Sequence, residues 1–224
     1  MRRPGRRKNL VVSIITAVCV TAAMAFPAGR TLAYGEGRAD IKTSVIADLN
    51  DFTSVMAYAQ VINAVNDRVP QDVIRTFQAH GGFINIEAHD GNNSGMTYLA
   101  LDDNGYPEFP DVYYSNYPTK MYISPNDAKD YFPREYVIHE FGHVFDAMYH
   151  ITADPENRAK IEAEAPAINA ILDPYYVKPG HFSTPEEALA QVFASVYGKE
   201  YVRAADEVVA AAPETVRIIR AATG

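Results

Sequence analysis

"VIHEFGH", residues 137–143, holds two histidines four positions apart, with a glutamate directly after the first. On a helix, positions i and i+4 share one face, so His139 and His143 can turn imidazole nitrogens towards a single ion. Glu140 is rotated by about 100° from His139. It can reach a water on that ion without itself being a ligand. His-Glu-x-x-His read in this way is a zinc-binding catalytic helix. Zinc polarises a peptide carbonyl and acidifies the water; Glu140 takes the water's proton and passes it to the leaving amine. An ordinary helix carrying two incidental histidines has the same spelling, so the surrounding sequence has to decide.

The flanks predict a helix from about Arg134 to Tyr149, with Pro133 near its first turn. Tyr136, Val137, Val144 and Phe145 offer a face that a core can hold, and Gly142 lets another element approach closely. Asp146, three positions after His143, can take the Nδ1 hydrogen of a ligand histidine or cap a nearby turn.

A catalytic zinc needs a third protein ligand and one open position. "VFDAMYH" follows His143, so no third histidine stands at a metal-binding spacing, and His150 lies nearly two turns further along. The best-signalled helix in the chain is "STPEEALAQVFASVYG", residues 183–198. Ser183 or Thr184 is its cap, Pro185 its first residue, Glu186 and Glu187 its first-turn acids and Gly198 its stop. Glu187 is the candidate third ligand, because Ala190, Gln191 and Ala194 lie on its side as small or polar residues. Glu186 cannot share its direction. The competing reading makes both glutamates a charge pair favoured by the helix dipole.

Elsewhere the spacing of Phe52, Val55, Met56, Ala59, Ile62 and Val65 predicts a helix capped near Asp48 or Asn50 and stopped before Pro70. A short helix follows, up to Gly81-Gly82. "GFINIEAH" and "MTYLALDD" read as two strands around the turn "DGNNSG", a hairpin or near-hairpin, and a further short strand is expected around residues 120–123. The segment after Asp154 reads as helical up to Pro174, interrupted or bent at Pro166, and one or two helices close the chain. With strands early and helices late, the fold class is α+β, one unit over residues 34–224 with a lobe boundary near 147–150.

Residues 1–33 read as a secretory signal: the basic "MRRPGRRKN", the apolar "LVVSIITAVCVTAAMAF" and then small residues, with cleavage after Ala25, Ala28 or Ala33. A retained membrane anchor is the alternative. Six of the 20 basic residues and none of the 28 acidic ones precede Tyr34, which leaves the remainder at net −14. Such a surface disfavours nucleic acid, whose phosphates need basic partners. The lone Cys19 leaves with the signal, so no disulfide is expected. The chain reads as a secreted, bacterial protein, a monomer with no stable membrane partner once processed.

Together "HEFGHVFD" and "EEALAQVFA" resemble the catalytic domain of anthrax lethal factor and the related secreted proline-specific endopeptidases of Gram-positive bacteria, which are zincins of the gluzincin type. The likeness is close over His139–Asp146 and looser over Glu187–Ala194. It implies a zincin-like fold, with a small mixed sheet, an active-site helix and a mostly helical C-terminal lobe. It implies Zn2+ held by His139, His143 and Glu187, with Glu140 as general base. There are two departures. Where the family carries a second glutamate one turn after the ligand, this chain has Gln191. Where the family places an oxyanion-steadying tyrosine, this chain has Gly180; Tyr176, Tyr175 and His181 are near, with Tyr176 the first candidate and His181 the second. The expected activity is a zinc-dependent endopeptidase acting on a peptide or protein substrate. Two alternatives are a toxin or effector protease that cuts one host protein, and a binding domain with a degenerate site.

Overall fold

Two short apolar alternations make the centre of the sheet. The computed structural model describes residues 38–87, 95–98, 100–101, 107–108, 120–124, 132–176 and 179–223. All of them belong to one unit, Gly37–Gly224. The expected signal over residues 1–33 lies outside the described residues. Among those described, no helix is long and apolar enough to cross a membrane.

The strands are β1 (Val45–Ala47), β2 (Phe83–Ile86), β3 (Gly95–Tyr98), β4 (Ala100–Leu101), β5 (Pro107–Glu108) and β6 (Lys120–Ile123). Ile84 and Ile86 of β2, and Met121 and Ile123 of β6, are buried at every second position, the period of a strand with one face on a core. Four strands form a mixed sheet in the order β1-β2-β6-β3, with β4 and β5 a separate pair. β2 is parallel to both its neighbours, and β3 runs antiparallel along β6 at the edge. The expected hairpin of 83–86 with 95–98 is therefore not formed. Adjacency in sequence favours that pairing, but β2 and β6 carry matching inward faces, so they pair at the centre and leave β3 outside. The three-residue β1 was not anticipated.

The helices are α1 (Phe52–Arg68), α2 (Gln71–Ala79), α3 (Phe132–Tyr149), α4 (Pro155–Leu172), α5 (Pro185–Tyr197), α6 (Ala205–Ala211) and α7 (Pro213–Thr223). The cap of α1 is Asp51, which accepts the Ser54 N–H at 2.7 Å, while Asp48 holds its own turn through the Asn50 N–H. α4 runs unbroken through Pro166. A proline there removes one backbone hydrogen bond, and the burial of Ile161, Ala165, Ile168 and Leu172 on the inner face offsets that loss. Glu164, half-buried on α4, accepts the N–H groups of Glu214 and Thr215 at 2.8 and 2.9 Å. A carboxylate from one helix thus caps the start of α7, where backbone donors lack partners.

α3 ends at Tyr149, and His150 turns the chain with φ 52°. One hydrophobic cluster spans this point, joining Val61, Phe77, Ile84, Met121, Phe141 and Phe145 to Ile161, Leu189, Phe193 and Ile219. The architecture is α+β, mainly helical, with a small mixed sheet and a mostly helical C-terminal part.

Candidate metal centre

α3 is held from behind. Val137, Ile138, Phe141, Val144 and Phe145 are fully buried, and Phe141 meets Phe77 with ring centroids 5.1 Å apart. The front of the helix meets α5 at Gly142. A Cβ there would stand 2.5 Å from the Ala190 Cα and 2.9 Å from its carbonyl oxygen, so the close approach anticipated at this glycine is made by α5. Backbone against backbone at this point places Glu187 and Gln191, on either side of Ala190, opposite the histidines. Overpacking a core by one methyl costs about 1–3 kcal/mol, and here the obstacle is main chain. Gly142→Ala is expected to lower stability by at least that much, read in urea unfolding, and to weaken metal uptake by pushing α5 outward.

The start of α5 is set locally. Thr184 accepts the Glu187 N–H at 3.3 Å, and Pro185 occupies the first helical position. Glu187 Oε2 then lies 3.2 Å from His139 Nε2, 3.8 Å from His143 Nε2 and 3.3 Å from His181 Nε2. One ligand atom from each of His139, His181 and Glu187 can be chosen so that all lie within 4.8 Å of one another, a grouping that can hold a metal ion. His143, expected as a ligand from its spacing, is not in that grouping, although its Nε2 faces the same carboxylate oxygen at 3.8 Å and its ring lies 5.1 Å from that of His139, at 85° to it.

Gln191 supports the first histidine. Its Oε1 lies 2.9 Å from His139 Nδ1. An amide oxygen can only accept, so Nδ1 carries the hydrogen and Nε2 is the atom left for a metal. The glutamine thus supplies the orienting bond without a charge. Its own side-chain nitrogen is buried and has no hydrogen-bond partner among the described residues.

Glu140 is buried next to this cluster, and Thr97 of the edge strand β3 donates its hydroxyl to Glu140 Oε2 at 2.6 Å. Burial pushes the Glu140 carboxyl up to about 7, against the pull of charged His139 and of the Thr97 hydroxyl. Burial also opposes a charge on His139, but the hydrogen bond and charge of Glu187 outweigh it and raise this imidazole to about 9. His143 is driven down to about 4, by burial first and then by the charge on His139. At neutral pH the metal-free cluster therefore holds a proton between His139 and Glu187. A metal must displace it, since ligand nitrogens bind deprotonated. Zinc titration calorimetry at pH 7 in buffers of differing protonation enthalpy should show at least one proton released, that of His139 together with the part Glu140 holds at this pH. The release should shrink above pH 9, where His139 has lost its proton before the metal arrives.

Other predicted residues have other partners. Asp146 does not reach a ligand histidine: its two oxygens accept the Thr152 N–H at 2.8 Å and the Thr152 hydroxyl at 2.6 Å, closing the turn after α3. Glu186 pairs with Arg158 at 2.7 Å and does not belong to the grouping around Glu187. Exposed His150 stands outside the cluster. The Tyr176 hydroxyl donates to Glu135 Oε1 at 2.6 Å, and Arg203 binds the other Glu135 oxygen at 2.9 Å while lying over the Tyr176 ring. The structure thus brings His181, and not the Tyr176 phenol, to Glu187. Thr97 and the Glu135–Arg203 pair were not singled out by sequence. A threonine in a strand carries no sign of the helix residue that it will face.

Comparison of the chain with protein-family models, with curated proteins and with solved structures gave no match. What the fold and the site define is an α+β protein with a histidine–glutamate cluster able to bind a metal ion.

Proposed function

We propose that this protein is a secreted bacterial zinc-dependent endopeptidase of the zincin type, akin to the lethal-factor and proline-specific endopeptidase group. The observation that carries the proposal is the convergence of both His-Glu-x-x-His imidazoles on one oxygen of Glu187, with Glu140 buried beside them. The donor set suits zinc. Ligands bonded at about 2.1 Å in a tetrahedron stand about 3.4 Å apart, and the two histidine nitrogens lie 3.2 and 3.8 Å from the carboxylate oxygen. His139, His143 and Glu187 would hold the ion, which supplies Lewis acidity towards a carbonyl oxygen and a water.

The chain's own groups do the rest. Gln191 keeps His139 in the tautomer that presents Nε2. Glu140 accepts the proton of the attacking water and returns it to the leaving nitrogen. Thr97 fixes the carboxylate through one oxygen and leaves the other for the water. β3 pairs with β6 on one side only among the described residues. An extended peptide added along its free edge by backbone hydrogen bonds would run past Glu140, because Thr97 lies in that strand. Of the two groups considered for the oxyanion, His181 is the one beside the ligands. A purely binding role gives no reason for a buried glutamate held next to, but outside, the ligand set.

The test is a peptide-library digest with metal-stripped protein, before and after one equivalent of zinc. Cleavage that appears only with zinc supports the reading. A single cleaved motif within the library would assign the narrow-specificity form, and cleavage indifferent to metal would refute the proposal.

A further inference from the structure

His181 is the third imidazole around Glu187, with Nε2 3.3 Å from the oxygen that also faces His139 and His143. Three imidazole nitrogens and one carboxylate oxygen are a complete tetrahedral set for zinc. Each of the three nitrogens lies 3.2–3.8 Å from that one oxygen, close to the ligand–ligand separation of about 3.4 Å in a tetrahedral site, and the ligand atoms of His139, His181 and Glu187 also lie within 4.8 Å of one another. Hydrolytic zinc sites leave one of the four positions open, whereas closed sites do not. We infer that His181 is a fourth protein ligand, which closes the metal centre at rest and must withdraw before a water or a substrate carbonyl can take its place. This rests on the zinc reading of His139, His143 and Glu187 given above.

The way each histidine is held shows which one leaves. His139 and His143 stand on α3, fixed by its core face and by Gln191, with side chains 10% and 17% exposed. His181 is 35% exposed. It opens a three-residue 3-10 turn directly after Gly180, whose φ of 76° suits a residue without a Cβ. The turn itself is pinned on both sides of the imidazole. The Gly180 N–H binds Asp173 Oδ1 at 3.0 Å, and the Phe182 N–H binds Asn169 Oδ1 at 3.2 Å. Phe182 is buried between the rings of Tyr176 and His139. Withdrawal of His181 is then a side-chain rotation over a fixed backbone, a change between staggered rotamers at the solvent edge of the site. The imidazole so released stays beside the position it vacated, where its N–H can serve an oxyanion.

Zinc K-edge X-ray absorption on the full zinc-loaded chain counts the imidazoles directly. Three are expected in the wild type and two in His181→Ala, with zinc retained and its affinity, measured by chelator competition, lower by roughly tenfold to a hundredfold. His181→Phe, which keeps a ring but no donor, should give the same count if the alanine variant proves unstable. Two imidazoles in the wild type, unchanged in either variant, would overturn the closure and leave the three-ligand centre standing. Three that persist without His181 would overturn it as well. A wild-type chain that takes up no zinc would overturn both this inference and the reading on which it rests.

Discussion

Glu187→Ala is expected to empty the metal centre. Among the described residues Glu187 is the only carboxylate in the cluster, and it is the group on which all three imidazoles converge. Zinc held by four groups gains about 10–16 kcal/mol in all, so losing one ligand costs roughly a hundredfold or more in affinity. Part of that cost is offset, because without Glu187 His139 holds less tightly the proton that a metal must displace. Elemental analysis after dialysis against a mild chelator should find one zinc per wild-type chain and none in the variant. Glu186→Ala is the matched control. It removes the neighbouring carboxylate, which pairs with Arg158, and should leave zinc content unchanged. Equal zinc in the Glu187 variant and the wild type would reject the ligand assignment.

Glu140→Gln is expected to separate binding from chemistry. The amide keeps the shape of the carboxylate and can still accept the Thr97 hydroxyl, but it cannot take a proton from water. General-base catalysis contributes about 10²–10⁴ in rate, so kcat should fall by that order while zinc content and KM stay near the wild-type values. Full activity in this variant would remove Glu140 from the mechanism. Loss of zinc would make it a ligand instead of a base.

The parts of the site legible in the sequence are those with local causes. His139 and His143 share a face because of helical spacing, and Thr184-Pro185 fixes where α5 begins and therefore where Glu187 lies. Gly142 signalled a close approach, though only the structure names Ala190 as the neighbour. The rest depends on contacts that no local pattern encodes. Tyr176 is drawn to Glu135, 41 positions away, by a buried ion pair with Arg203. Asp146 is captured by Thr152, six positions on, because the turn after α3 offers two donors to a buried carboxylate. His181 reaches Glu187 because Phe182 buries and Gly180 takes a left-handed backbone, neither of which announces where the intervening side chain will point. Strand order escaped a local reading for the same reason. β2 and β6 are matched by their inward faces across more than thirty residues of sequence.

The most direct test of the central claim is anomalous diffraction at the zinc edge from crystals of the zinc-loaded protein. The account predicts one strong peak at about 2.0–2.2 Å from His139 Nε2, His143 Nε2 and a Glu187 oxygen, with Glu140 outside bonding distance. A peak elsewhere, or no peak between α3 and α5, would contradict it.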